Sequence, residues 1–260
     1  MPDEPRTDRR RLLGTAGLLA AAASLPDITG PATAQAERDA LGQWTLDTMK
    51  GLAVFVMPGP DAYSRAQGTP RKEPGGIEAK LPEFLVQNLN RYIPFPDLPV
   101  GGLVGALAPL LRGAKPAPLQ NDAEIPLAPI VALILNAEAV RVDPRTLGGA
   151  FLAPFSRLAY RGKAKVFELL EGPDAALVEA LDAQLPEPLK RSASGLLKYA
   201  AGALLELSAL GGYSEWGVLD PATRRLRGRP VGWQDSGYTP ASEGRPEFRG
   251  YYQGRRKVTG

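Results

Sequence analysis

Glu37-Arg38-Asp39-Ala40-Leu41-Gly42-Gln43-Trp44-Thr45-Leu46-Asp47-Thr48-Met49-Lys50-Gly51-Leu52-Ala53-Val54-Phe55-Val56-Met57 sets the pattern for the whole chain. Its apolar residues Leu41, Trp44, Leu46, Met49, Leu52, Val54, Phe55 and Val56 fall broadly on a 3.6-residue stripe, and the run ends at Met57-Pro58-Gly59-Pro60. That spacing predicts an amphipathic helix closed by a proline-glycine turn.

The same grammar repeats downstream. Residues 58–76 read as a turn-rich loop punctuated by Gly-Pro, Thr-Pro and Pro-Gly-Gly. Residues 77–92 read as a second amphipathic helix with Pro82 in its first turns, where proline costs least. Residues 102–112 and 125–140 are apolar on every side and predict buried helices. The run 127–135, interrupted by Pro129, is too short for a membrane span. Residues 160–171 and 174–185 read as a helix pair joined by Gly172-Pro173, with Asp174 as N-cap. Residues 188–210 form the longest candidate, with Lys190, Arg191, Lys198 and Glu206 on an Ala-rich surface and a stop at Gly211-Gly212. The expected fold is therefore all-α: an irregular helical bundle over residues 37–212 with long loops, in a chain that allows one compact domain of about 190 residues, long enough for a substantial core.

After Gly212 the pattern changes. Residues 213–260 form an extended arm in which Tyr213, Trp216, Trp233, Tyr238, Phe248, Tyr251 and Tyr252 stand among Gly, Pro and Arg without a helical period. Large rings with arginines nearby are the composition of protein interfaces, and Trp216, Trp233, Tyr238, Phe248, Tyr251 and Tyr252 are the candidate partner contacts. The competing reading is an arm that wraps over its own bundle.

At the other end, Arg9, Arg10 and Arg11 run into Leu12, Leu13, Gly14 and an Ala-rich stretch ending at Ala23, with Ala34-Gln35-Ala36 as the next small-x-small break. A basic region, a short apolar region and such a break make a secretory signal, and the arginine pair specifies the twin-arginine route. Residues 1–36 are read as this signal, cleaved after Ala36, with an uncleaved anchor as the alternative. The expected location is outside the cytoplasmic membrane, reached through the twin-arginine translocon, with no integral membrane segment after cleavage.

The chain has no cysteine and no histidine. Ser-His-Asp and Cys-His catalysis, disulfides and thiolate metal sites are excluded, and a metal site would have to be all oxygen. The carboxylates Asp47, Glu73, Glu78, Glu215, Asp220 and Asp235 carry no spacing that marks an acid/base pair, and no serine lies in a Gly-x-Ser-x-Gly frame. Neither a Gly-x-Gly-x-x-Gly nor a Walker-type loop is present. The 31 basic and 28 acidic residues are scattered, for a net charge of +3, which gives nucleic-acid binding little support. Arg224, Arg225, Arg227 and Arg229 are the densest basic cluster, read as a solvated turn or a contact for an acidic partner surface. Twin-arginine export carries folded proteins, often with a cofactor inside, yet this chain has few means of holding one. A partner that owns the cofactor reconciles the two.

Three stretches carry a family resemblance. Gly75-Gly76-Ile77-Glu78-Ala79 with Leu81-Pro82-Glu83-Phe84, the segment from Phe151 through residues 155–171, and Gly232-Trp233-Gln234-Asp235-Ser236-Gly237-Tyr238 resemble the small subunit (subunit 3) of membrane-bound gluconate 2-dehydrogenases. Residues 58–68, Pro-Gly-x-Asp-x-Tyr-Ser-x-Ala-Gln-Gly, and 230–253, Pro-Val-Gly-Trp through Phe-x-Gly-Tyr-x-Gln, are similar to a group of bacterial twin-arginine-exported proteins encoded beside flavin oxidoreductases of the glucose-methanol-choline class. The resemblance implies an accessory subunit with no cofactor or catalytic residue of its own, serving the folding and export of an FAD-bearing partner. The alternative expectation is an exported helical binding protein for a sterol or other lipid, with a cavity lined by residues 103–140 and 196–210.

Overall fold

The structure, a computed structural model, describes residues 16–21, 23–24, 34–91, 127–172, 175–184, 191 and 193–239. The expected helix over 102–112, Tyr92, Asp174 and residues 185–190 lie outside these, as do Arg9, Arg10, Arg11, Phe248, Tyr251 and Tyr252.

The fold is an all-α irregular bundle whose only sheet among the described residues is a two-stranded hairpin. Helix α1 (Ala34–Val56) touches α2 (Ala62–Gln67), α3 (Leu81–Arg91), α4 (Leu127–Val142) and α5 (Pro154–Arg157). A 3-10 turn, Pro144–Leu147, connects α4 to the α5 region. Helices α6 (Tyr160–Glu171), α7 (Ala175–Gln184) and α8 (Ala193–Tyr213) close the other side, with α8 lying on α6, α7, α3 and α1. Strands β1 (Leu219–Asp220) and β2 (Arg225–Leu226) and the short helix α9 (Val231–Ser236) follow.

Helix α4 is apolar all round and is buried all round, every residue from 130 to 140 included. Helix α3 buries Leu81, Phe84, Leu85 and Leu89 on one stripe, each worth about 1.5–3 kcal/mol of apolar transfer. Trp44, Met49 and Leu52 of α1 meet Leu133, Leu135 and Phe155 in the fully buried centre. No helix among the described residues is long and apolar enough to cross a membrane.

Four local expectations are corrected. The loop after α1 contains a helix, α2, because Asp61 caps it by accepting from Ser64 N (2.9 Å) and Gly68 ends it in the left-handed region at φ 88°. The second helix starts at Leu81 and not at Ile77, since residues 76–80 form turns and Lys80 has φ 55°. Helix α8 does not stop at Gly211-Gly212 but runs through them to Tyr213. The glycines are contact points: a Cβ on Gly211 would meet Leu81 Cδ1 at 2.7 Å and the Phe84 ring, and one on Gly212 would meet Met57 Sδ at 3.1 Å. The arm, finally, is partly regular, with Leu219 paired to Leu226 and Asp220 to Arg225 in the hairpin, and Val231–Ser236 helical.

Candidate functional site

Three of the stretches that carry the resemblance, around residues 58–68, 75–84 and 230–238, are far apart in sequence and meet in one region of the fold. Met57, Ala79 and Val231 form a small buried cluster there. Gly59 and Gly75 touch backbone to backbone, so that a Cβ on Gly59 would lie 2.7 Å from Gly75 N. Gly217 leaves no room for a Cβ beside Ala79, nor Gly232 beside Gly212 O (2.8 Å) and Tyr213. Arg71 reaches across to Asp235 (2.9 Å), whose other oxygen accepts from Tyr213 OH (3.1 Å).

Within residues 58–68, Ser64 and Gln67 are buried, Asp61 and Tyr63 are half-buried and Arg65 is exposed. Ser64 Oγ donates to Asp61 Oδ2 (2.6 Å) and accepts from Gly59 N (2.9 Å). Gln67 Nε2 donates to Val54 O and to Thr69 Oγ1, both at 2.6 Å. Tyr63 OH donates to Asp47 Oδ1 (2.6 Å) while Ala153 N donates to Asp47 Oδ2 (2.9 Å). Burial, reinforced by the bond to Asp47, pushes the Tyr63 phenol well above its ordinary value. Tyr63 also stacks on Phe151 at 4.1 Å.

Beneath this lies a side chain that motif reading missed, Lys163 of α6, which is fully buried. Its Nζ donates to Gly51 O (2.9 Å) and Gln67 Oε1 (2.8 Å), and it stands 5.6 Å from the Phe155 ring centroid. Burial pushes it down to about 7, with the charges of Asp61 and Asp47 opposing the shift. A signal for it exists in the sequence: Lys163, Val166, Phe167 and Leu170 share one stripe of α6, which puts a lysine on the buried face. A polar chain continues through Ser156 Oγ to Asp47 O (2.6 Å), and through Asn136, which donates to Thr48 Oγ1 (2.8 Å) and accepts from Phe155 N (2.8 Å). These groups satisfy one another and so join α1, α2, α4, α5 and α6.

Of the candidate partner contacts, Trp216 faces the bundle, packed edge-on against Phe84 at 5.6 Å. Trp233 is half-buried and meets Tyr238 edge-on at 5.2 Å, and Tyr238 is 52% exposed. Arg229 ties this pair by donating to Tyr238 O (2.8 Å) and Trp233 O (3.3 Å). Residues 221–229, including Arg224, Arg225, Arg227 and Arg229, are all exposed, and Arg227 pairs with Asp220 at 3.2 Å. Asp220 is held below the usual carboxylate range first by Ala222 N and Thr223 N and then by Arg227. In the described arm Trp216 packs inward, Trp233 is half-buried, and Tyr238 and the arginine hairpin are exposed.

Ala34 and Ala36 lie in the first turn of α1. Among the described residues no group of acidic side chains is placed to hold a metal ion. A cavity of about 410 Å³ between α1 and α3 is bordered by Leu46, Val86, Glu83, Gln87, Asn90 and Arg91. Of the segments expected to line a lipid cavity, residues 127–128 and 130–140 of α4 are core, whereas in residues 196–210 of α8 Leu197, Ala201, Leu204 and Ser208 are buried and Tyr199 and Leu210 are exposed. No protein-family model, no curated protein and no solved structure matches this chain.

Proposed function

We propose that this chain is a non-catalytic accessory subunit that assists the folding and twin-arginine export of a flavin-dependent partner of the glucose-methanol-choline class, the FAD residing in the partner. The observation that carries the reading is the convergence of residues 58–68, 75–79 and 232–238 around Met57, Ala79 and Val231. These stretches pack together through close backbone approaches, Gly59 on Gly75 and Gly232 on Gly212 and Tyr213, with Arg71 reaching to Asp235. Such a unit suits a scaffold that presents a surface, here Trp233, Tyr238 and the arginine hairpin, and an all-arginine cluster flanked by Trp and Tyr has the composition of an interface. The test is co-expression with a flavin oxidoreductase of the glucose-methanol-choline class, followed by isolation of this chain from the exported fraction. A yellow stoichiometric complex is expected. A colourless, stable monomer would contradict the reading.

A further inference from the structure

Residues 16–21, within the stretch expected to be the apolar part of an export signal, are folded onto the domain. Residues 16–21 are helical, and Leu18 and Ala21 are buried members of the main core together with Leu41 and Trp44 of α1 and Ala137 of α4. Gly17 is buried against α4: a Cβ there would lie 3.0 Å from Arg141 Cδ and 3.4 Å from Ala137 O. Ser24 Oγ accepts from Trp44 Nε1 at 3.3 Å, and Trp44 has no exposed surface. The opposite face of the same helix points out, with Leu19 54% exposed and Ala16 and Ala23 also exposed. The small residues Gly17 and Ala21 therefore form the contact stripe, and the seat is built by α1 and α4. The expected cleavage triplet 34–36 is itself in the first turn of α1, whereas peptide-bond hydrolysis by a peptidase requires an extended chain.

We infer that α1 and α4 form a docking seat whose occupant is this chain's own residues 16–21 and 23–24, so that in the folded chain this apolar part of the export signal is self-masked and becomes readable only when the helix is displaced. The masking role rests on the reading of residues 1–36 as an export signal; the seat does not. Displacement uncovers Trp44 and leaves its Nε1 without the Ser24 acceptor, so the seated and unseated states differ by a measurable change at one ring.

Two double variants of the full chain separate the seat from the hydrophobicity of the signal. Gly17→Leu with Ala21→Leu places bulk on the contact stripe; Ala16→Leu with Ala23→Leu adds the same groups to the exposed face. Hydrogen exchange should show residues 16–24 and the α1 amides around Trp44 protected in the unmodified chain and in the outward variant, with protection of 16–24 lost by tenfold or more in the inward variant. In cells the inward variant should be processed faster than the outward one. Free exchange of residues 16–24 in the unmodified chain overturns the seat, and equal processing of the two variants overturns the masking. Arg9→Lys, Arg10→Lys, Arg11→Lys in either background distinguishes the underlying reading: continued export would refute the twin-arginine signal while leaving the exchange result standing.

Discussion

Lys163 is the residue on which the interior chemistry turns. An ammonium without solvent is costly, and two carbonyl acceptors, the face of Phe155 and the more distant charges of Asp61 and Asp47 compensate it in part. Because burial lowers its pKa from the ordinary 10.5 to about 7, the unfolded chain binds one more proton than the native one across that window. Stability should therefore rise as pH increases from about 7 toward about 10. Above pH 10 the raised Tyr63 phenol acts in the opposite sense, since the unfolded chain ionises first. Denaturant titrations of Lys163→Met across this range should show the rising limb abolished, together with a loss of about 1–3 kcal/mol at pH 9 from the unmet Gly51 and Gln67 acceptors. A persisting limb would show that Lys163 is not its source. Tyr63→Phe leaves the buried Asp47 carboxylate with a lost donor, and a destabilisation of about 1–3 kcal/mol is expected from the same titration.

Helices with a strong stripe are legible in the sequence and those made by tertiary contact are not. Helix α6 spans residues 160–171 as its period requires, and α4 is buried as its unbroken apolar run requires. Helix α2 reads as a loop in one dimension because its order comes from Asp61, Ser64 and Gln67 bonding to backbone and to α6, which no periodicity announces. Gly211-Gly212 reads as a stop because a glycine that ends a helix and a glycine that admits a neighbouring ring look alike in sequence. The difference is measurable within α8. A Cβ on Gly202 would meet nothing within 4 Å, so Gly202→Ala should stabilise by about 0.5–1 kcal/mol through helix propensity. Gly211→Ala gains the same propensity but drives a methyl into Phe84 and Leu81, and a net loss of about 1–3 kcal/mol is expected from thermal or denaturant melts. Equal effects at the two positions would mean that α8 does not approach α3 at van der Waals range.

At the scale of the molecule, the candidate interface divides by direction. Trp216 is packed on Phe84, so Trp216→Ala should lower the subunit's own stability by about 3–5 kcal/mol and affect association only through unfolding. Tyr238 is exposed beside the arginine hairpin, so Tyr238→Ala should leave melting nearly unchanged while weakening partner binding by about 2 kcal/mol, measured by calorimetry with the co-expressed flavoprotein. Composition alone marks both rings as candidates, because an aromatic residue in a Gly-, Pro- and Arg-rich segment carries no sign of which way it faces; three-dimensional packing supplies that sign. The carrier role itself is reached most directly through the arginines of the signal. With Arg9, Arg10 and Arg11 replaced by Lys, flavin-oxidoreductase activity is measured in the cytoplasmic and exported fractions of cells producing both chains. This chain and the flavoprotein are both expected to remain in the cytoplasm; export of the flavoprotein while this chain stays behind would contradict the carrier role.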